Sequence, residues 1–205
     1  MKFFYTGAST YNVAQPVASL SLGGFLSSSE VQNDILNNLF SSISDLSKQN
    51  LKREAKLIAI KNTYNEAIQD VTVTFNTADW SKLITEYDIA FVASKEDDCG
   101  NIYFDGINNS EALPYVTFES ITEADNEFSI GDLAIGQVIG AWLVRKIVKA
   151  QIAPISCNQL YANYLGTTYT DPSTNVVYTP ITVEEQENIT IALSWDDDQS
   201  QSDSV

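Results

Sequence analysis

Gly136-Gln137-Val138-Ile139-Gly140-Ala141-Trp142-Leu143-Val144-Arg145-Lys146-Ile147-Val148 is the stretch on which the fold turns. A continuous apolar run of this length suits a buried helix as well as a central strand. Its two glycines disfavour the helix, and its valine and isoleucine residues favour the strand. Read as a strand, it joins several others. Ala55 to Ile60 and Val71-Thr72-Val73-Thr74-Phe75 read as strands joined by a polar turn at Asn62 to Asn65, with Val71, Val73 and Phe75 on one face. Tyr87 to Ala93, Ile102-Tyr103-Phe104 and Tyr115-Val116-Thr117-Phe118 follow as β-branched and aromatic runs separated by Asp, Asn, Gly and Pro clusters. Asn188 to Trp195 alternates cleanly, which puts Ile189, Ile191, Leu193 and Trp195 on one face of a closing strand. Strands every 10 to 15 residues with such punctuation predict a mainly β fold, an antiparallel β-sandwich of jelly-roll or Ig-like type. Val73, Phe75, Trp142, Ile191, Leu193 and Trp195 are the expected core.

Around this centre lie less regular segments. Residues 1–30 are short on periodicity and rich in Ser, Gly, Ala and Thr, with breakers at Gln15-Pro16 and Gly23-Gly24, so an extended N-terminal arm with a turn is expected there. One short helix is expected from Val31 to about Asp45, since Val31, Ile35, Leu36, Leu39, Phe40 and Ile43 recur at helical spacing. The sandwich then spans residues 31–195, with an excursion at about 156–182 that carries Tyr161, Tyr164 and Tyr169, and residues 196–205 read as a disordered acidic tail.

Composition excludes several functions. The 205 residues carry 27 acidic against 11 basic groups, a formal charge of −16, which argues against a nucleic-acid ligand. The charge is uneven: residues 1–62 hold 6 basic and 4 acidic groups, residues 63–149 hold 5 and 15, and residues 150–205 hold none and 8. Histidine is absent, which removes Ser-His-Asp and Cys-His catalysis, histidine zinc sites and a histidine pH switch. Cys99 and Cys157 are far apart and form no C-x-x-C pattern, so two ordinary thiols are the expectation and a single disulfide the alternative. The apolar patch at Met1 to Tyr5 is too short for a signal peptide, and the run from Leu133 to Val144 is too short to span a membrane, so a soluble protein made in the cytoplasm is expected.

Other chemistry has weaker support. Glu96-Asp97-Asp98-Cys99-Gly100-Asn101 with Asp105 gathers oxygen ligands that would suit calcium, without EF-hand spacing, and a solvated acidic hairpin loop is the plainer reading. Glu184, Glu185, Glu187 and Asp196 to Asp198 are carboxylate clusters, but glycosidase chemistry needs a cleft that spacing does not show. Trp80, Trp142 and Trp195 would suit a sugar platform, yet two of them lie on strands among aliphatic residues, where core packing is the simpler role. The sequons at Asn108 and Asn188 would matter only in a secreted chain. No catalytic residue, cofactor or metal ligand is therefore expected.

Three ordered motifs carry a resemblance: Ser19-Leu20-Ser21-Leu22-Gly23-Gly24-Phe25-Leu26-Ser27-Ser28-Ser29-Glu30-Val31, then Asn37-Asn38-Leu39-Phe40-Ser41-Ser42-Ile43-Ser44, then Arg53 to Asn62. Together they resemble the N-terminal pattern of a family of tailed-bacteriophage virion structural proteins, in which an SLGG arm leads to an NLF helix and a strand ending in KN. Gly140 to Lys146 and Ile191 to Asp196 are similar to that family's glycine-tryptophan-basic strand and last strand. The likeness spans residues 5–62 and 131–196. It departs at Glu54, Ala55 and Lys56, where the family has an arginine and an aromatic, and at the Tyr161-to-Tyr178 insertion.

The resemblance implies a non-enzymatic virion subunit, assembled in the host cytoplasm. Its particle is similar to those of the crAss-like podoviruses, with a homo-oligomeric ring in the portal, neck and tail. The implied partners are further copies of the chain and neighbouring tail proteins, with genomic DNA passing without specific binding and no membrane involved. Leu20, Leu22, Gly23, Gly24, Phe25, Leu39 and Phe40 are the expected arm and oligomer contacts. Capsid decoration or a fibre adaptor that attaches to another virion component or a surface glycan is the alternative, and a secreted carbohydrate-binding domain a third reading that the missing signal peptide opposes.

Overall fold

The deciding segment is a strand. In the computed structural model, which describes residues 1–32, 38–40, 53–83, 85–147, 168–178, 189–196 and 203–204, Val138–Ile147 pairs antiparallel on both sides. In chain order the strands are β1 (Lys2–Ala8), β2 (Gly24–Glu30), β3 (Arg53–Lys61), β4 (Ile68–Asn76), β5 (Thr85–Ala93), β6 (Lys95–Glu96) and β7 (Ile102–Phe104). They continue with β8 (Glu119–Ile121), β9 (Glu127–Leu133), β10 (Val138–Ile147), β11 (Tyr169–Thr170), β12 (Val177–Tyr178), β13 (Thr190–Asp196) and β14 (Asp203–Ser204). One sheet runs β6-β7-β2-β1-β3-β10-β5-β8, a second β14-β13-β4-β9, and β11 pairs with β12 alone. Helix among the described residues is limited to single 3-10 turns at Ala18–Leu20 and Trp80–Lys82. The expectation of a mainly β, antiparallel chain holds.

The run from Val138 to Val144 in β10 is unbroken by polar side chains because both of its faces are covered. Ala141 and Leu143 belong to a cluster shared with Ile58 and Ile60 of β3, Val73 and Phe75 of β4, and Ile191, Leu193 and Trp195 of β13, so both large sheets contribute to it. Val138, Trp142 and Val144 belong to a second cluster with Leu57 and Ala59 of β3 and Phe104 of β7. A strand buried on both faces loses the period-2 alternation that marks a half-solvated one. All six expected core residues are buried, but Trp142 lies in the second cluster, apart from the other five.

The N-terminal segment departs from expectation. Residues 1–30 are not an arm: β1 lies between β2 and β3 inside the large sheet, and Met1, Phe3 and Tyr5 are buried in the main cluster. Phe3 pairs with Ile60 and Tyr5 with Ile58. The irregular pattern has a physical cause, since register shifts flank Thr6 in the β1–β2 ladder and Gly7 takes a φ of +80°.

Other boundaries also moved. Tyr115 to Phe118 is not a strand, and the pairing begins at Glu119 in β8. β9 was not anticipated, because Glu127-Phe128-Ser129-Ile130-Gly131-Asp132 mixes charge and glycine on a sheet edge. Asp203–Ser204 pairs with β13, which replaces tail by strand there. Most of the helix expected from Val31 to Asp45, and the excursion at 156–182 apart from residues 168–178, lie outside the described residues. Cys157 also lies outside them, so its pairing does too, while Cys99 is exposed as a free thiol.

Asn62 ties together two turns by which the chain passes between the large sheets. Its buried side-chain amide donates to the carbonyls of Glu66, Leu133 and Ala134 at 2.8, 3.0 and 3.1 Å, while its Oδ1 accepts from the Tyr64 N–H. The asparagine that ends the KN motif thus joins the β3–β4 turn to the β9–β10 turn, serving the buried Leu133 carbonyl together with the more exposed Glu66 and Ala134 carbonyls.

Candidate functional site

The seven residues expected to make arm or oligomer contacts separate into two places. Leu20, Leu22, Gly23, Gly24 and Phe25 lie where three chain segments cross, and Leu39 and Phe40 close one end of the main cluster.

The crossing is built from backbone. Gly23, with φ +96°, approaches Gly106 so closely that an added Cβ would lie 2.4 Å from the Gly106 Cα, and a Cβ on Gly7 would lie 2.1 Å from the Leu20 carbonyl oxygen. Only glycine fits such approaches. The Ile107 N–H donates to the Leu22 carbonyl at 2.9 Å, and Phe25 meets Tyr103 edge-on at 6.2 Å.

A buried polar network holds the loop that precedes the crossing. Ser21 takes the place beside Leu57 that β1 vacates after Tyr5: the Leu57 N–H donates to the Ser21 carbonyl at 2.8 Å, and Ser21 Oγ donates to the Leu57 carbonyl at 2.6 Å. Thr6 Oγ1 donates to the same carbonyl, and the Thr6 N–H donates to Ser21 Oγ. Gln15, also buried, donates through Nε2 to the Thr6 carbonyl, accepts from the Val17 N–H through Oε1, and donates its N–H to Ser27 Oγ at 2.9 Å. Residues 9–20 are thereby held in one shape, with Tyr11 packed on the second cluster and Ala18 on the main one. Their outward side chains include Val13, Val17 and Leu20, exposed by 44, 48 and 55%.

The second place is a charged end of the apolar core. Glu54 and Lys56 share a face of β3 with Ile58 and Ile60, and Arg145 sits opposite Glu54 on β10. Arg145 Nη2 donates to Glu54 Oε2 at 2.5 Å, and its guanidinium lies 4.9 Å from the centre of the Phe40 ring. Phe40 also meets Tyr87 edge-on at 6.1 Å, Leu39 is buried, and the Tyr5 hydroxyl donates to the Asn38 carbonyl at 2.8 Å. Burial pushes the Tyr5 pKa up. Lys56 is buried, and burial holds its pKa below the ordinary lysine value, opposed in part by Glu54 and reinforced to a lesser degree by Arg145. The Leu39-Phe40 pair therefore covers a charged core end. The period-2 spacing of Glu54 and Lys56 with Ile58 is the sequence signal for it.

The remaining candidates come apart. Asp97 accepts from the N–H groups of Cys99 and Asn101 and from Asn101 Nδ2, and those bonds, led by the Asn101 side chain, lower its pKa. Its oxygens are occupied by the turn itself, and no cluster of three metal-ligating side chains occurs among the described residues. The tryptophans share no platform: Trp142 and Trp195 belong to different buried clusters and Trp80 is half-buried against the main one. An open groove of 680 Å³ lies among Lys2, Pro16 and Ser28 to Gln32, with the Lys2–Glu30 ion pair at 2.8 Å among its lining. No helix among the described residues is long and apolar enough to cross a membrane. No protein-family model, curated protein or solved structure matches the chain.

Proposed function

We propose that the chain is a non-enzymatic structural subunit of a tailed-phage particle, a β-sandwich that assembles as a ring of identical copies in the portal, neck and tail and joins neighbouring tail proteins around the DNA passage. One observation carries the reading. The motif residues that resemble the virion family serve as scaffold: Gly23 in the backbone crossing, Leu39 and Phe40 over the charged core end, Asn62 between two turns. Residues whose work is to hold a rigid body together suit a subunit that functions by its shape. The concentration of negative charge beyond Lys149 suits a surface bordering DNA, since like charge keeps a moving genome from sticking.

A second reading has its own support. The β11–β12 hairpin carries exposed Val176 and Val177, an apolar tip of the kind that attaches a decoration or adaptor protein to another virion component.

Copy number in purified particles separates the two. Quantitative mass spectrometry is expected to give a count that follows the portal protein. A count that follows the major capsid protein would select the decoration reading, and absence of the chain from particles would overturn both.

A further inference from the structure

We draw no further inference here: the strongest candidate, the open groove of 680 Å³ among Lys2, Pro16 and Ser28 to Gln32 on the β1–β2 side of the large sheet, carries nothing because nothing in the structure shows what covers it.

Discussion

Gly23 and Gly106 touch backbone to backbone, closely enough that a methyl group on Gly23 would lie 2.4 Å from the Gly106 Cα. The contact fixes the SLGG segment against the loop after β7, and with Gly7 against the Leu20 carbonyl it holds β1 and β2 in the large sheet.

Gly23→Ala is therefore expected to be severe. Neither neighbour is a flexible side chain, and φ is +96°, so overlap and left-handed strain act together and should lower unfolding free energy by about 3 kcal/mol. Gly100→Ala, also at positive φ but with nothing within 4 Å, should cost only about 1 kcal/mol. Urea unfolding of the two variants checks the contrast, and equal losses would rule out the crossing as the cause.

Asn62→Asp tests the joint between the turns. The change removes an NH₂ that serves three carbonyls and sets carboxylate oxygens against them, with an expected loss of about 3 kcal/mol in thermal or urea unfolding. Asn62→Ala should lose about 2 kcal/mol, because it takes this donor from the buried Leu133 carbonyl without adding charge.

How much of this was legible follows from the neighbours of each segment. β4 and β13 alternate because one face lies in the main cluster, and their sequences say so. β3 and β10 were readable as strands but not as strands with two buried faces, since an unbroken apolar run does not distinguish sheet from helix or one covering layer from two. β1 and β2 escaped because their order depends on Thr6, Gln15, Ser21 and Ser27, polar residues that look like loop until their partners are known. Of the expected contact residues, Leu20 is exposed, whereas Gly23 and Leu39 turn inward, a division that depends on segments far away in sequence, Gly106 and Arg145 among them.

Arg145→Met is expected to cost about 3 kcal/mol, since it leaves a half-buried Glu54 carboxylate without its guanidinium and Phe40 without its cation. Adding Glu54→Gln should restore part of that loss, because the remaining group no longer carries a buried charge. A double-mutant cycle by urea unfolding reads the coupling.

Lys56 gives an alkaline signature. Its folded pKa lies below its unfolded one, so over the window between them the unfolded chain binds more protons and stability rises with pH. Tyr5 acts in the opposite sense at higher pH, where its raised folded pKa makes stability fall. Lys56→Met is expected to abolish the rise and keep the fall, and to leave neutral-pH stability unchanged or higher. Melting temperatures across the alkaline range decide this, and an undiminished rise in the variant would remove Lys56 as its source.

The central proposal is that this chain is a repeated structural subunit of a phage particle, and electron cryo-microscopy of particles grown from a genome that carries its gene tests that proposal directly. The account predicts a ring of copies in the neck or tail density, each fitted by the eight-stranded and four-stranded sheets. Particle density fully accounted for by other chains, with no place for this pair of sheets, would contradict it.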